Sequence, residues 1–403
     1  MIQYDEGQWH LLFLFKLRGS VAHKVALRFG LPSAVLAGLL AHSGYADSEG
    51  AGRHIGIWDL AESQVWAAVT AITTVLLAFR TRQALGRFWE GTGLLHQMRG
   101  EWFDAVSCLM AFSRQAKTMP AQVAEFRATL VRLTSLMHGC ALHEIKAEAK
   151  ECFEIIDVNG LDVATLDHLR FCKKKGFNLV EVLLHMIQVL VTENHEQNVV
   201  KIPPPICSRV YQELSRGMVN LHNAKKITDV QFPFPYAQLI SLLLLSHAVL
   251  TPVVVASFLE QPWWAAMVTF VPVFGMFSVN EVANELEMPF GEDENDLDLH
   301  RFQEEMNGSL LMLIHENADI VPHLTSEAVR DWSMLNVATM PYDLNQIISK
   351  DLRRGLEIAR ESRMRQSVSG GSIRTQGSVI SLTESESIVD AGVEAMAASI
   401  PGI

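Results

Sequence analysis

The stretch NEVANELEMPFGEDENDLD, Asn280 to Asp298, closes a long apolar run and breaks at Pro289-Phe290-Gly291. It then delivers Glu292, Asp293, Glu294, Asn295, Asp296 and Asp298 in close succession. Clusters of carboxylate and carbonyl oxygens bind hard cations. The same composition suits the first turn of a helix, where carboxylates meet the positive end of the dipole. Composition leaves both readings open. What distinguishes this cluster is its position, directly against a membrane-type hairpin.

That hairpin is read from hydropathy. Phe234 to Leu259 is nearly continuous apolar sequence, Gln261-Pro262 makes the turn, and the run resumes to Val279. Trp263-Trp264 stands where an interfacial aromatic belt belongs. Pro235, Pro252 and Pro272 are tolerated where neighbouring helices satisfy the backbone. His247 reads as polar glue between helices rather than a ligand. Two earlier runs, Val25 to Leu40 and Val65 to Phe79, are short against the roughly 20 residues a span needs. Alone they are equally compatible with buried helices of a soluble bundle. Lys16, Arg18, Lys24 and Arg28 flank the first run, Arg80, Arg82 and Arg87 follow the second, and Lys225 and Lys226 precede the third. The loop near 43–62 is acidic, so the positive-inside rule puts both termini and the 80–230 region on the cytosolic or equivalent side.

The remainder bounds the function. The 403 residues are 49% hydrophobic, with a mean hydropathy of +0.16. A few spans plus a water-facing part give that mixture. A net charge of −12 argues against nucleic acid as a partner. Five dispersed cysteines form no C-x-x-C pair and read as reduced core residues. Residues 1–20 form an amphipathic entry segment, an interfacial or an ordinary surface helix, and no cleavable signal is visible. Residues 88–225 carry helical apolar spacing, as at Trp102, Val106, Leu109 and Met110 or Phe126, Leu130, Leu133 and Met137. Lys201 to Pro205 ends one helix and opens another. His138 and His143 lie five apart and make no helical zinc pair. Leu297 to Ile314 reads as an amphipathic helix, and 319–360 as mixed helix and turn. From Arg363 the chain is Ser/Gly-rich without a core pattern, a flexible tail in which Ser367 matches a basophilic kinase site. No hydrolase, zinc-protease or P-loop motif is present, so nothing asks for catalysis.

Four ordered stretches carry a family resemblance: Arg18-Gly19-Ser20, FRTRQALGRFWE (Phe79 to Glu90), FPFPYAQ (Phe232 to Gln238) and ELEMPFGEDENDL. Together, over roughly residues 10–320, they resemble the bestrophins. The resemblance implies an all-α polytopic membrane protein, with four transmembrane helices per subunit and a helical cytosolic domain, assembled as a ring-shaped homopentamer. The corresponding division is an amphipathic segment at 1–22, transmembrane helices 1 and 2 at 23–80, and a cytosolic helical domain at 81–231. Transmembrane helices 3 and 4 follow at 232–288, the acidic calcium-clasp loop with C-terminal helices at 289–360, and the tail at 361–403. It implies a channel for chloride and other monovalent anions, calcium-responsive, seated in the lipid bilayer of a plasma membrane or a plastid (thylakoid) membrane. Carried onto this sequence, the pore neck falls on Ala71, Val75 and Phe79, and the cytosolic aperture on Phe232. The neck residues stand at i, i+4 and i+8, one helical stripe, which is core in a lone subunit and a dewetting constriction around a shared axis. Phe232, Pro233 and Phe234 open a helix whose N-terminus would face anions. Calcium ligands fall on Asp293 and Asp296 by side chain, and on Glu285, Met288 and Gln3 by backbone oxygen. A non-conducting calcium-binding membrane scaffold or regulatory subunit is the alternative. An ion-coupled transporter lacks its usual internal repeats here.

Overall fold

The computed structural model describes residues 19–43, 64–114, 116, 119–146, 152–259, 261–326 and 328–337. The entry segment before Gly19, Gln3 within it, the acidic loop near 43–62 (apart from Ser43) and the tail with Ser367 lie outside them. Among the described residues every regular element is helical.

Helix α1 runs Val21–His42, with one π turn at Ala26–Gly30. Its 22 residues span about 33 Å, so the first apolar run is longer than its hydropathy alone indicates. Helix α2, Gln64–Ser113, has 50 residues and is about 75 Å long. The apolar run expected to end at Phe79 is only its first part, because Arg80, Arg82 and Arg87 interrupt hydropathy without interrupting helical propensity. Then come α3 (Pro120–Ile145), a 3₁₀ turn (Val158–Gly160), α4 (Val163–Lys175), α5 (Leu179–Glu196) and α6 (Pro204–Asp229). The hairpin is α7 (Phe234–Phe258) and α8 (Pro262–Glu287), followed by α9 (Leu299–Ile314). Helix α9 starts two residues later than its apolar pattern suggests, because Asp298 caps it by accepting from the Arg301 N–H at 3.2 Å. The residues from Pro322 form a separate unit, whose described part holds the short helix α10, Trp332–Val337.

Among the described residues three helices are long and apolar enough to cross a membrane: α1, α7 and α8. The N-terminal part of α2 joins them, with Leu77 buried in one cluster with Val21, Val25, Ile240, Leu244, Val273 and Phe277. A second cluster of Ala37, Ala41, Val255, Ala256 and Ala265 shows the small-residue packing that lets helices approach in lipid. Trp263 and Trp264 are exposed at the start of α8.

The larger core lies along the rest of α2, against α3, α5, α6 and α9. Trp102, Leu109, Leu130 and Met137 are fully buried there, as their spacing predicts, together with Leu183, Ile187 and Leu214. Each such side chain contributes about 1.5–3 kcal/mol. The Trp102 indole donates to the Leu214 carbonyl at 3.2 Å. A Cβ on Gly217 would stand 2.2 Å from that indole nitrogen, so glycine is what lets α6 close on α2.

The cysteines are free thiols, with Cys172 and Cys207 buried, but Cys152 is exposed and is not a core residue. His138 is buried with its Nδ1 2.7 Å from Gln303 Oε1, while His143 is exposed, consistent with packed and surface roles. Among the described residues His247 makes no hydrogen bond to another helix. Its Nδ1 pairs with Thr251 of its own helix at 3.1 Å, and its interhelical contact is a stacked ring, Trp66 at 6.1 Å.

Candidate functional site

Helix α2 presents one long uncovered face. Ala71, Val75 and Phe79 all lie on it, Val75 68% and Phe79 42% exposed, while Thr73, Leu77 and Arg80 face inward. The helical repeat explains the split, since Leu77 and Arg80 stand on the opposite side of the turn from Val75 and Phe79. An apolar stripe left bare on a helix that packs among membrane-type helices is a surface for lipid or for another protein surface.

The stripe is tied to its surroundings at Phe79. The Phe79 ring lies 5.9 Å from that of Tyr236, which lies 6.1 Å from Phe232. The Arg80 guanidinium sits over Phe232, 5.5 Å from the ring centroid. Buried Arg80 donates to Asn280 Oδ1 at 2.7 Å, Asn284 Oδ1 at 2.5 Å and Glu287 Oε2 at 3.2 Å. Its planar fork suits several fixed acceptors at once. Arg87 makes a second staple, to the carbonyls of Glu287, Val230 and Ile227 at 3.1, 2.7 and 2.5 Å. In the sequence both arginines stand as positive flanks, within the stretch Phe79 to Glu90 that carries the family resemblance. The signal for their role was the spacing of Asn280, Asn284 and Glu287, which places three acceptors on one face of α8.

At the start of α7 the structure restricts the proposed anion-facing turn. Pro233 and Pro235 have no N–H, and the Phe232 N–H donates to Glu287 Oε1 at 2.8 Å. Phe234 therefore supplies the remaining donor of residues 232–235. Phe232 itself is half-buried in the membrane cluster, whereas Phe234 is exposed.

The acidic loop resolves into separate roles. Asp298 is the α9 cap, so the helix-turn reading holds for that residue. Asp296 is only 4% exposed and accepts from the Asp293 N–H at 2.7 Å. Burial, with Asp293 and Glu285 adding like charge, pushes its carboxyl up to about 6. A Cβ on Gly291 would come 2.5 Å from Asp296 Oδ2 and 3.6 Å from the Met288 carbonyl, so glycine lets these oxygens share one space. The Glu285 carbonyl would accept from residue 289 in a continuing helix, but residue 289 is proline and has no N–H. Two carbonyls and a buried carboxylate are thus left with oxygen-donor capacity at one helix end. That chemistry fits a hard cation. Asp293 is exposed beside it, and Gln3 lies outside the described residues. Among the described residues, acidic, histidine and cysteine side chains alone make no three-membered metal cluster, so a cation here relies on backbone oxygens.

Asn295 adds a contact the sequence did not suggest. Its side-chain amide donates to the Gly19 carbonyl at 3.0 Å and to Glu285 Oε2 at 2.8 Å. It bridges the chain before α1 to the end of α8. Lys24 lies 3.7 Å from Glu285, and Lys146, with a side chain 5% exposed, pairs with Glu292 at 3.4 Å.

Comparison with known proteins adds three findings. The sequence matches the family described as Bacterial/Fungal Bestrophin protein over residues 1–312. It is 26% identical over 232 residues to a voltage-dependent anion channel-forming protein of Nostoc sp., covering 56% of this chain and 69% of that one. It is 25% identical over 249 residues to a protein of the same description from Synechocystis sp., covering 60% and 74%. Crystal structures of a bacterial bestrophin homologue from Klebsiella pneumoniae superpose with TM-scores of 0.55 and 0.56 at 14% and 16% identity. Each covers 72% of this chain and 98% of the homologue, a likeness of fold.

Proposed function

The chain belongs to the bacterial/fungal bestrophin family, and from that premise we propose that it is a membrane channel for small anions, chloride among them. The protein is a helical membrane protein of a channel family rather than an enzyme. The observation that carries the reading is the bare stripe Ala71, Val75 and Phe79 on α2. In a homopentamer with four membrane helices per subunit, the fourth being the N-terminal part of α2, that stripe faces the common axis. A ring of such side chains holds water out when narrow and passes weakly hydrated anions when wide. The small Ala71 makes the constriction short, with Val75 and Phe79 its main walls. No cationic side chain is needed in the stripe. Below it, the Phe234 N–H and the end of the α7 dipole supply weak positive potential without trapping the ion.

The acidic loop is the control element in this proposal. Asp293 and Asp296 would hold a calcium ion by side chain, and Glu285 and Met288 by backbone oxygen, with Gln3 as a further carbonyl. A bound calcium ion supplies positive charge against Asp296, Asp293 and Glu285. The chain's own residues carry the connection to the neck. Asn295 holds Glu285 to Gly19. Two residues on, Glu287 holds both Arg80 and the Phe232 N–H, and Phe232 leads through Tyr236 to Phe79. A shift at the end of α8 therefore reaches the neck through direct contacts.

The test is current from the purified full chain in a planar bilayer under a potassium chloride gradient, with calcium added and then chelated. Reversal near the chloride equilibrium potential supports the anion channel, and loss of current on chelation supports calcium control. No current at any calcium level would favour the non-conducting scaffold. Val75→Ala combined with Phe79→Ala is expected to leave the channel open under both conditions at unchanged reversal potential. Unchanged gating in that variant sinks the neck assignment.

A further inference from the structure

Between α1, α7 and α8 lies a cavity of about 280 Å³ whose lining includes none of Ala71, Val75 and Phe79. Its polar lining is Lys24, Arg28, Ser241, Asn280 and Glu281, and its walls include Phe29 and Phe277. Arg28 sits within the π turn Ala26–Gly30, an irregularity that often marks functional sites in helices. It lies about 10 Å along the helix from Val21. Arg28 is exposed on the protomer and, among the described residues, has no hydrogen-bond or ion-pair partner. Beside it on α1, Leu27, Leu31, Val35 and Leu39 form an exposed apolar row, and α7 exposes Leu242, Leu245 and Val249. An arginine on such a surface is costly in lipid unless it meets an anion at the headgroup level.

Both signs of charge are built into the cavity. Lys24 is only loosely held by Glu285, at 3.7 Å. Glu281 accepts from Asn284 at 3.1 Å but, among the described residues, has no cationic partner. Asn280 accepts from Arg80 through Oδ1, which leaves its NH₂ as a donor, and Ser241 adds a hydroxyl. We propose that this cavity binds the headgroup of a phospholipid carrying a primary amine. The phosphate lies on Arg28 and Lys24, with Ser241 and Asn280 as neutral donors, and the ammonium lies on Glu281. The acyl chains follow the apolar rows of α1 and α7. A purely anionic headgroup leaves Glu281 opposed by like charge, and a quaternary ammonium cannot donate a hydrogen bond to it. The proposal rests on the membrane placement of α1, α7 and α8 and is independent of conduction.

Native mass spectrometry of the detergent-purified full chain tests it, with phosphatidylethanolamine, phosphatidylglycerol and phosphatidylcholine of matched acyl chains added singly at equal concentration. Wild type is expected to retain phosphatidylethanolamine best. Arg28→Gln is expected to reduce retention about tenfold, and Arg28→Lys to restore much of it. Glu281→Gln is expected to abolish the preference among headgroups while keeping lipid bound. Melting temperature in lipid-free detergent checks that the variants fold, and Glu281→Gln with Arg28→Lys keeps the test valid if Arg28→Gln does not. Undiminished retention by Arg28→Gln, or a wild-type preference for either other lipid, overturns the proposal.

Discussion

Asp296→Asn isolates the charge stored in the acidic loop. The substitution keeps the shape and an acceptor for the Asp293 N–H, now 2.7 Å away, and removes the negative charge. Burial raises the Asp296 carboxyl from 3.8 to about 6, so the folded state binds its proton more tightly than the unfolded chain does. The sign follows. Above pH 6 the folded protein bears the cost of an ionised buried carboxylate, and that cost disappears as pH falls through 6 towards 3.8. About two pH units correspond to about 3 kcal/mol at neutral pH. In chelator at pH 7.5 the variant is therefore expected to melt about 5 °C above wild type. At pH 5 about half of that gap is expected to close, because the folded Asp296 carboxyl is then largely protonated while the unfolded one is still ionised. Calcium at pH 7.5 is expected to raise the melting temperature of wild type and much less that of the variant. His138 acts in the opposite sense, since burial lowers it to about 4 and acid destabilises the fold, but it is common to both proteins and cancels in the difference. The assay is thermal unfolding of the two proteins in parallel across pH 5 to 7.5. A variant that melts at or below wild type at pH 7.5 in chelator would refute the argument, because the buried carboxylate would then be relieved by the protein itself.

Arg80→Met removes the buried partner of Asn280, Asn284 and Glu287 and is expected to cost about 3–5 kcal/mol. Arg80→Lys is expected to recover only part of that in thermal unfolding, because one ammonium cannot reproduce the fork. Gly217→Ala drives a methyl into Trp102 and is expected to lower stability by about 1–3 kcal/mol and to change the tryptophan emission. His138 has a folded value of about 4 against 6.5 unfolded, so stability present above 6.5 is lost as pH falls towards 4. His138→Asn is expected to flatten that acid slope in a pH series of melting curves, and an unchanged slope rejects the assignment.

The helical class, the hairpin, the water-facing core and the position of the acidic loop were legible in the sequence because each depends on residues close together in the chain. Hydropathy over a run, apolar spacing at 3.6 residues and a proline at a helix start are local quantities. Helix length escaped the same reading at α2, since three arginines end an apolar run without ending a helix. Cys152 escaped it too, because cysteine composition says nothing of where a particular loop lies.

What the sequence by itself determined is a set of helices and the chemical character of each face. It placed Ala71, Val75 and Phe79 on one stripe and put six polar or acidic residues after Pro289. Only the tertiary structure decided which of those faces are covered. It buried Asp296 and exposed Asp293, made Asp298 a cap, turned Arg80 inward onto α8 and left Val75 and Phe79 bare. The physical reason is that burial and hydrogen bonding are settled by partners far along the chain. Arg80 meets Asn280, and Asn295 meets Gly19, across separations that no local pattern encodes.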